Sequence, residues 1–464
     1  MTVLRGRMRE LGVAAAAGTS VWLASAVQSF AQDAPVVPTF DGGITAWLIV
    51  ATALVLFMTP GLALFYGGLV RRKNVLSTFM HSFAAIGIVT VIWCVVGYSI
   101  AFGPSIGGWL GNPMTHFMLA GTVGDMGPVS GGFAAGAPLL LWVMYQAMFA
   151  VITPALISGA YAERITFKGY AVFTALWSLL VYAPLAHWVW NPEGWLFKLG
   201  SLDFAGGTVV HIASGVAALV AAIVIGPRRG FGKESFMPHN LPLAILGAGI
   251  LWFGWFGFNA GGAVNSGGAP AGAAYPGVSE WAVAATAFST THISAAVAMI
   301  VWLVLELALH GKATTLGAAT GLVAGLVAIT PAAGFVSTTA AMVIGAAVAV
   351  ICFFAIRLKN KFGYDDALDA VGVHGVGGIV GAVATGIFSV QILNGWGADG
   401  LLAGNPQLLV NQLIAVGATI AFSGVASYIL LKVTDVLVGL RVDAESEIQG
   451  LDMTEHSEQG YTSM

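Results

Sequence analysis

The chain has 464 residues, of which 58% are apolar and only 8% charged, with a formal net charge of −3. A soluble chain carries about a quarter charged residues, and none of this length could hide so much apolar surface from water; the solvent must be lipid. The near-neutral charge gives no footprint for nucleic acid, and two cysteines, Cys94 and Cys352, both inside apolar runs, make neither a disulfide framework nor a metal cluster.

From the N-terminus, Arg5, Arg7 and Arg9 precede a short apolar core, Val13 to Val27, and then Ser29-Phe30-Ala31. That order reads as a secretory signal peptide over 1–31, with an uncleaved anchor helix as the alternative. Apolar stretches long enough to cross about 30 Å of hydrocarbon follow over the remaining length. They lie at roughly 43–70, 77–102, 136–162, 170–190, 205–226, 241–262, 280–309, 315–335, 338–358, 369–392 and 408–438. The expected fold is therefore an all-α membrane protein of about eleven transmembrane helices. Its transmembrane domain covers 32–440 and its tail 441–464. The 62 glycines point to helices packed closely through small residues.

Charge orients the chain. Arg71, Arg72, Lys73, Arg164, Lys168, Arg228, Arg229, Lys233, Lys312, Arg357, Lys359 and Lys361 fall in alternate loops, and Arg441 opens the tail. The opposite loops offer only Lys198. Positive loops stay cytoplasmic, so the mature N-terminus is expected outside and the C-terminus inside. The loop 112–135, rich in Pro and Gly, would be external and irregular.

Two segments look alike. Asp203-Phe-Ala-Gly-Gly-Thr-Val-Val-His211 is followed by Gly215, and Asp366-Ala-Leu-Asp369-Ala-Val-Gly-Val-His374 by Gly378. Each places an acid eight residues before a histidine and a glycine four residues after it. On predicted spans five and ten, this spacing reads as an inverted five-plus-five repeat with halves at about 43–226 and 241–392, plus a last helix at about 408–438. Chance likeness between glycine-rich helices is the alternative. Binding sites of such transporters sit near the midplane, between the repeats.

An ionisable side chain at membrane depth is costly and marks function by default. His211 and His374 are the first candidates, because a neutral imidazole is much cheaper to bury than a charge and can relay a proton; two separate structural histidines are the alternative. Aromatic faces attract a cation without offering a carboxylate that would take sodium or potassium equally well. Phe149, Trp190 and Phe258 could form such walls, or simply pack in the membrane and its interfaces. Asp203 stands near a helix start, where a cap is its ordinary role, with an electrostatic contribution besides; Asp369 is expected to cap span ten.

Taken together, Pro60-Gly-Leu-Ala-Leu-Phe-Tyr-Gly-Gly68, Asp203 to His211, Gly254-Trp-Phe-Gly-Phe-Asn-Ala-Gly261, Gly372-Val-His-Gly-Val376 and the tail motif Gly439-Leu-Arg-Val442 resemble the Amt/Rh ammonium transporter family, in its bacterial Amt branch. The resemblance spans essentially the whole mature chain. It implies an ammonium or ammonia transporter of the cell inner membrane, forming a homotrimer with one pore per subunit and needing no cofactor or metal. By that match His211 and His374 are twin pore histidines, Phe149 and Phe258 a phenyl gate, and Trp190 the wall of an outer ammonium site. Asp203 matches the acid required for ammonium recognition, and Tyr145, Trp255 and Tyr182 neighbouring vestibule or pore positions. Trp190 favours the Amt branch, since Rh-type proteins generally lack it. Gly262 departs from the pattern, standing where relatives often carry a serine hydroxyl; the hydroxyl of Tyr145, where phenylalanine is common, could compensate. The family also implies a PII-type regulator at the cytoplasmic face. An ammonium sensor signalling to such regulators is the alternative function, and a solvated, flexible terminus the alternative reading of the tail. No nucleophile–base pair or phosphate loop supports an enzyme.

Overall fold

The computed structural model describes residues 40–123, 136–265 and 278–461. The expected signal peptide, part of the 112–135 loop and residues 462–464 lie outside them. Ten described helices are long and apolar enough to cross a membrane. They are α1 (Gly42–Leu69), α2 (Arg72–Phe102), α3 (Leu139–Tyr161), α4 (Phe167–Leu199), α5 (Gly207–Ile225), α6 (Leu241–Val264), α7 (Glu280–His310), α9 (Thr338–Phe362), α10 (Val371–Phe388) and α11 (Pro406–Val438). Between α7 and α9, α8 (Thr315–Ile329) is apolar but shorter. A two-residue hairpin, β1 (Ser105–Ile106) with β2 (Leu110–Gly111), follows α2. The helical membrane fold is as expected.

The expectation of a full span at 315–335 needs correction. The helix stops at Ile329, and residues 330–335 turn through Pro331 and Gly334. A helix of 15 residues reaches only about 22 Å. Shortness is tolerated because the turn is enclosed by protein: residues 321 to 335 are all buried, and the Pro331 carbonyl accepts from the Phe204 amide at 3.1 Å. Irregular backbone at membrane depth survives only in such surroundings.

Small residues set the helix spacing. A Cβ on Gly247 of α6 would lie 2.2 Å from the Phe65 amide of α1, and one on Gly68 of α1 would lie 2.5 Å from the Ala244 amide. Helices that touch backbone to backbone gain dispersion contacts, which drive association where lipid is as apolar as leucine.

One end of the bundle carries a buried ionic cluster. Glu163, in the α3–α4 turn, accepts the Arg71 amide at 2.7 Å, the Asn74 amide side chain at 3.0 Å and Arg228 at 3.0 Å. Asp365 takes Arg228 through Nε at 2.9 Å and a terminal nitrogen at 2.8 Å. Phe236 lies between the two guanidiniums, 4.8 Å from Arg71 and 4.1 Å from Arg228. Residues that the sequence assigned to several cytoplasmic loops thus converge on one site. The tail docks there too, against the reading of a free terminus. After α11, α12 (Ala444–Gln449) and α13 (Leu451–His456) lie on the cluster. Asp452 accepts the Ser77 amide at 2.8 Å, Glu455 the Phe167 amide at 2.8 Å, and Glu447 the Arg229 amide at 2.6 Å.

Burial opposes ionisation of Glu163 and Asp365, but Arg228, with Arg71 at Glu163, outweighs it and holds both carboxyls below their usual range. Their stabilisation is therefore fully present above about pH 4 and is lost as acidification passes through the lowered values. Glu163→Ala leaves two guanidiniums facing each other and should cost about 3–5 kcal/mol. Thermal unfolding in detergent should show a lowered midpoint for this variant at pH 7, and a smaller difference from the parent well below pH 4.

Candidate functional site

The two histidines stand on helices that open in the same unusual way. Residues 207–212 of α5 and 371–375 of α10 form wide π turns, each containing its histidine. Such turns are rare and concentrate at functional positions. Each is capped from upstream by a carboxylate. Asp203 receives four amides, Gly206 at 2.8 Å and Gly207 at 2.6 Å on one oxygen, Thr208 at 2.8 Å and Val209 at 3.1 Å on the other. Its expected capping role holds, and with every acceptor direction occupied it meets no cation directly. On α10 the cap is Asp366, accepting Ala370 at 3.1 Å and Val371 at 2.7 Å. The expectation that Asp369 caps is wrong: its φ of +63° turns the carboxylate away to an ion pair with Lys359.

The glycines four residues after each histidine explain the crossing. A Cβ on Gly215 would lie 2.1 Å from the Gly375 amide, and one on Gly378 would lie 3.0 Å from the His211 Cβ. Each histidine helix is thus approached through the other's glycine, and the rings meet. The Nδ1 atoms of His211 and His374 are 3.2 Å apart, with ring planes inclined by 13°. At that separation one Nδ1 donates and the other accepts, so a single N–H lies between them.

Aromatic rings extend the line outward from His211. Trp255 stacks on it at 5.5 Å with 19° between planes, fixed by an indole N–H bond to Thr330 at 2.8 Å. Phe258 lies 6.2 Å from His211 and 4.2 Å from Phe149. Phe149 presents its edge to Trp190 at 6.0 Å and 87°. Trp190 in turn donates to the Asp203 carbonyl at 2.9 Å, so the capping acid also positions the outer indole. Both phenyl rings are buried, and between them and the histidines runs a narrow cavity of about 10 Å³, roughly one water-sized molecule. Its walls are Met58, Leu62, Phe65, Ile152, Leu156, Val210, Leu251, Trp255, Phe258 and Val323 besides the histidines. Beyond His374 the space widens to a cavity of 790 Å³ lined by Arg228, Lys233, Glu234, Lys359 and Asp369 among others.

Most of the aliphatic walls were invisible in the sequence, because a leucine facing the lane and one facing lipid look the same. Three further expected residues stand beside the row. The Tyr145 hydroxyl donates to the carbonyls of Gly257 at 3.1 Å and Phe258 at 3.0 Å, which leaves its oxygen lone pairs to accept, and its ring lies 5.0 Å from Phe149. Tyr182 packs on Trp93 at 6.1 Å rather than on the row of rings. At Gly262 a Cβ would find only Phe204 atoms, at 3.4 Å and beyond, which is ordinary contact.

The comparison with known families decides the identity: the model described as "Ammonium Transporter Family" matches residues 46–461. The chain belongs to the ammonium transporter family. An ammonium transporter of Aquifex aeolicus is 48% identical over 423 residues, covering 91% of this chain and 94% of that protein. An ammonium transporter of Bacillus subtilis is 46% identical over 420 residues, covering 90% and 98%. The crystal structure of Saccharomyces cerevisiae Mep2 superposes with a TM-score of 0.78 at 35% identity, covering 88% and 89% of the two chains. This ammonium transporter is a membrane transport protein for ammonium or ammonia, in a family of transporters rather than of enzymes, and the sensing alternative is not favoured over transport.

Two substitutions test the geometry. Gly215→Ala places a methyl on the Gly375 backbone, which cannot move without separating the rings; overpacking of this kind costs about 1–3 kcal/mol, and methylammonium uptake at matched membrane level should fall severely. Gly262→Ser has room for its hydroxyl. One added hydrogen bond is worth about 0.5–1.5 kcal/mol, so the KM for methylammonium should fall by up to about tenfold while the maximal rate changes little.

Proposed function

We propose that this ammonium transporter strips its substrate of water at an outer site and passes it as ammonia along the twin-histidine lane. Ammonium is strongly hydrated and cannot enter an apolar cavity as an ion, whereas ammonia is small and neutral. Cation–π attraction to Trp190 and Phe149, beside Gly262, holds the ion at the outer mouth. Opening of the Phe149/Phe258 pair admits it, and the proton is given up close to His211. The bond between the two Nδ1 atoms carries this reading: the far Nε2 of one ring is then a donor and that of the other an acceptor, so each stage of passage finds a partner. Exchange of the shared N–H between the rings would let a proton follow.

The same reading sets the chain in the cell inner membrane, mature N-terminus outside and C-terminus inside, after removal of a signal peptide at 1–31. The Arg71 and Arg228 cluster at one end, with Arg164 donating to the Asp365 carbonyl at 2.6 Å, supports that orientation through the positive-inside preference. The parallel π turns, caps and reciprocal glycines of α5 and α10 support the inverted repeat of 43–226 and 241–392. A homotrimer and a PII-type regulator at the inner face, over the 790 Å³ vestibule, complete the proposal; they follow from the family resemblance.

Methylammonium uptake into proteoliposomes tests the histidine role. His211→Ala should cut flux at least tenfold or admit competing potassium current, with Trp255 losing its stacking partner. Unchanged flux and selectivity would remove His211 from the pathway.

A further inference from the structure

A second polar cluster lies away from the lane, where transport makes no use of it. His81 of α2 is 1% exposed. Its ring packs on Tyr170 of α4 at 4.4 Å and against Tyr161, the last residue of α3, at 6.2 Å. The Tyr170 hydroxyl donates to the backbone carbonyl of His81, which fixes that ring as a wall. Neither ring nitrogen of His81 has a hydrogen-bond partner, and neither does the hydroxyl of the fully buried Tyr161. The row continues through Phe167, 6.3 Å from Tyr170, to His456 of the docked tail at 5.2 Å. The Nε2 atom of His456 is likewise buried and unpartnered.

Buried polar groups in native proteins are almost always hydrogen-bonded, to protein or to ordered water. A neutral imidazole brings one donor and one acceptor, and a tyrosine hydroxyl brings both. The His81 and Tyr161 rings lie 6.2 Å apart and His456 joins the same row of rings; polar groups so placed, with no recorded protein partner, suit an internal water-sized molecule, which typically makes about three hydrogen bonds. Tyr170 and Phe167 carry the row from His81 to the tail residue His456.

We propose that His81, Tyr161 and the tail residue His456 surround a buried site for one or two water-sized molecules that both donate and accept hydrogen bonds. Water and the transported ammonia share that chemistry. The site joins α2, α3 and α4 to α13, so its occupant forms part of the tail's seat. It is separate from the pore, whose histidines bond to each other.

The test is a structure of the full chain in lipid nanodiscs, at a resolution that shows ordered solvent, once in ammonium-free buffer and once in ammonium. A peak within hydrogen-bond distance of a His81 nitrogen and the Tyr161 hydroxyl is expected. Its presence in both buffers identifies water, and its presence only with ammonium identifies the substrate. His81→Leu should abolish the peak and His81→Gln should retain it, with Tyr170 unmoved in both. Density that stays empty in both buffers, or a His81 ring turned to bond a protein carbonyl, overturns the proposal.

Discussion

The whole molecule is arranged around one contact that lipid makes expensive: two imidazoles pressed edge to edge inside an apolar bundle. A polar ring buried alone at that depth would lose its hydrogen bonds to water and gain nothing. Buried as a pair, each Nδ1 satisfies the other at 3.2 Å. The pair requires two helix backbones to come within van der Waals contact, so the positions facing each ring cannot carry side chains. Gly215 and Gly378 meet that requirement, and the π turns widen the helices where the rings must turn inward. The carboxylates of Asp203 and Asp366 complete the local design by taking the amides that such turns leave unpaired.

The rest of the structure supports this lane at both ends. At the Trp190 end, the Asp203 carbonyl holds the indole, which meets Phe149, so a single residue ties the helix cap to the aromatic mouth. At the His374 end, the lane opens into a vestibule whose lining includes Arg228 and Lys359, both anchored by carboxylates. The ionic cluster of Arg71, Glu163, Arg228 and Asp365 fixes the loops on that side, and the tail is bonded across them. A narrow passage between an aromatic mouth and a wide, polar vestibule is the shape a transporter needs if its substrate crosses only after losing water and charge.

Much of this was legible in the sequence. Length and apolar runs gave the membrane helices because hydrocarbon thickness demands them. The spacing of acid, histidine and glycine was readable too, and the structure supplies its physical reason: the acid caps, the histidine pairs, the glycine yields to the other backbone. Asp369 was misread because a cap is expected within a residue or two of the helix start. Here the positive φ of Asp369 diverts it to Lys359, and Asp366 reaches forward instead. The early end of α8 was hidden because residues 330 to 335 are as apolar as a span, and only their enclosure by other helices lets them unwind. Glu163 and the seating of the tail depend on partners far away in sequence, such as Asp452 on Ser77, 375 residues apart, and no local pattern announces them.

The account rests on one N–H held between two ring nitrogens, and that bond is directly observable. With the protein labelled with nitrogen-15 histidine in lipid bilayers, solid-state NMR should show a through-hydrogen-bond coupling between Nδ1 of His211 and Nδ1 of His374, abolished by replacing either residue. Two histidines with no mutual coupling, each bonded to water or to a helix carbonyl, would contradict it.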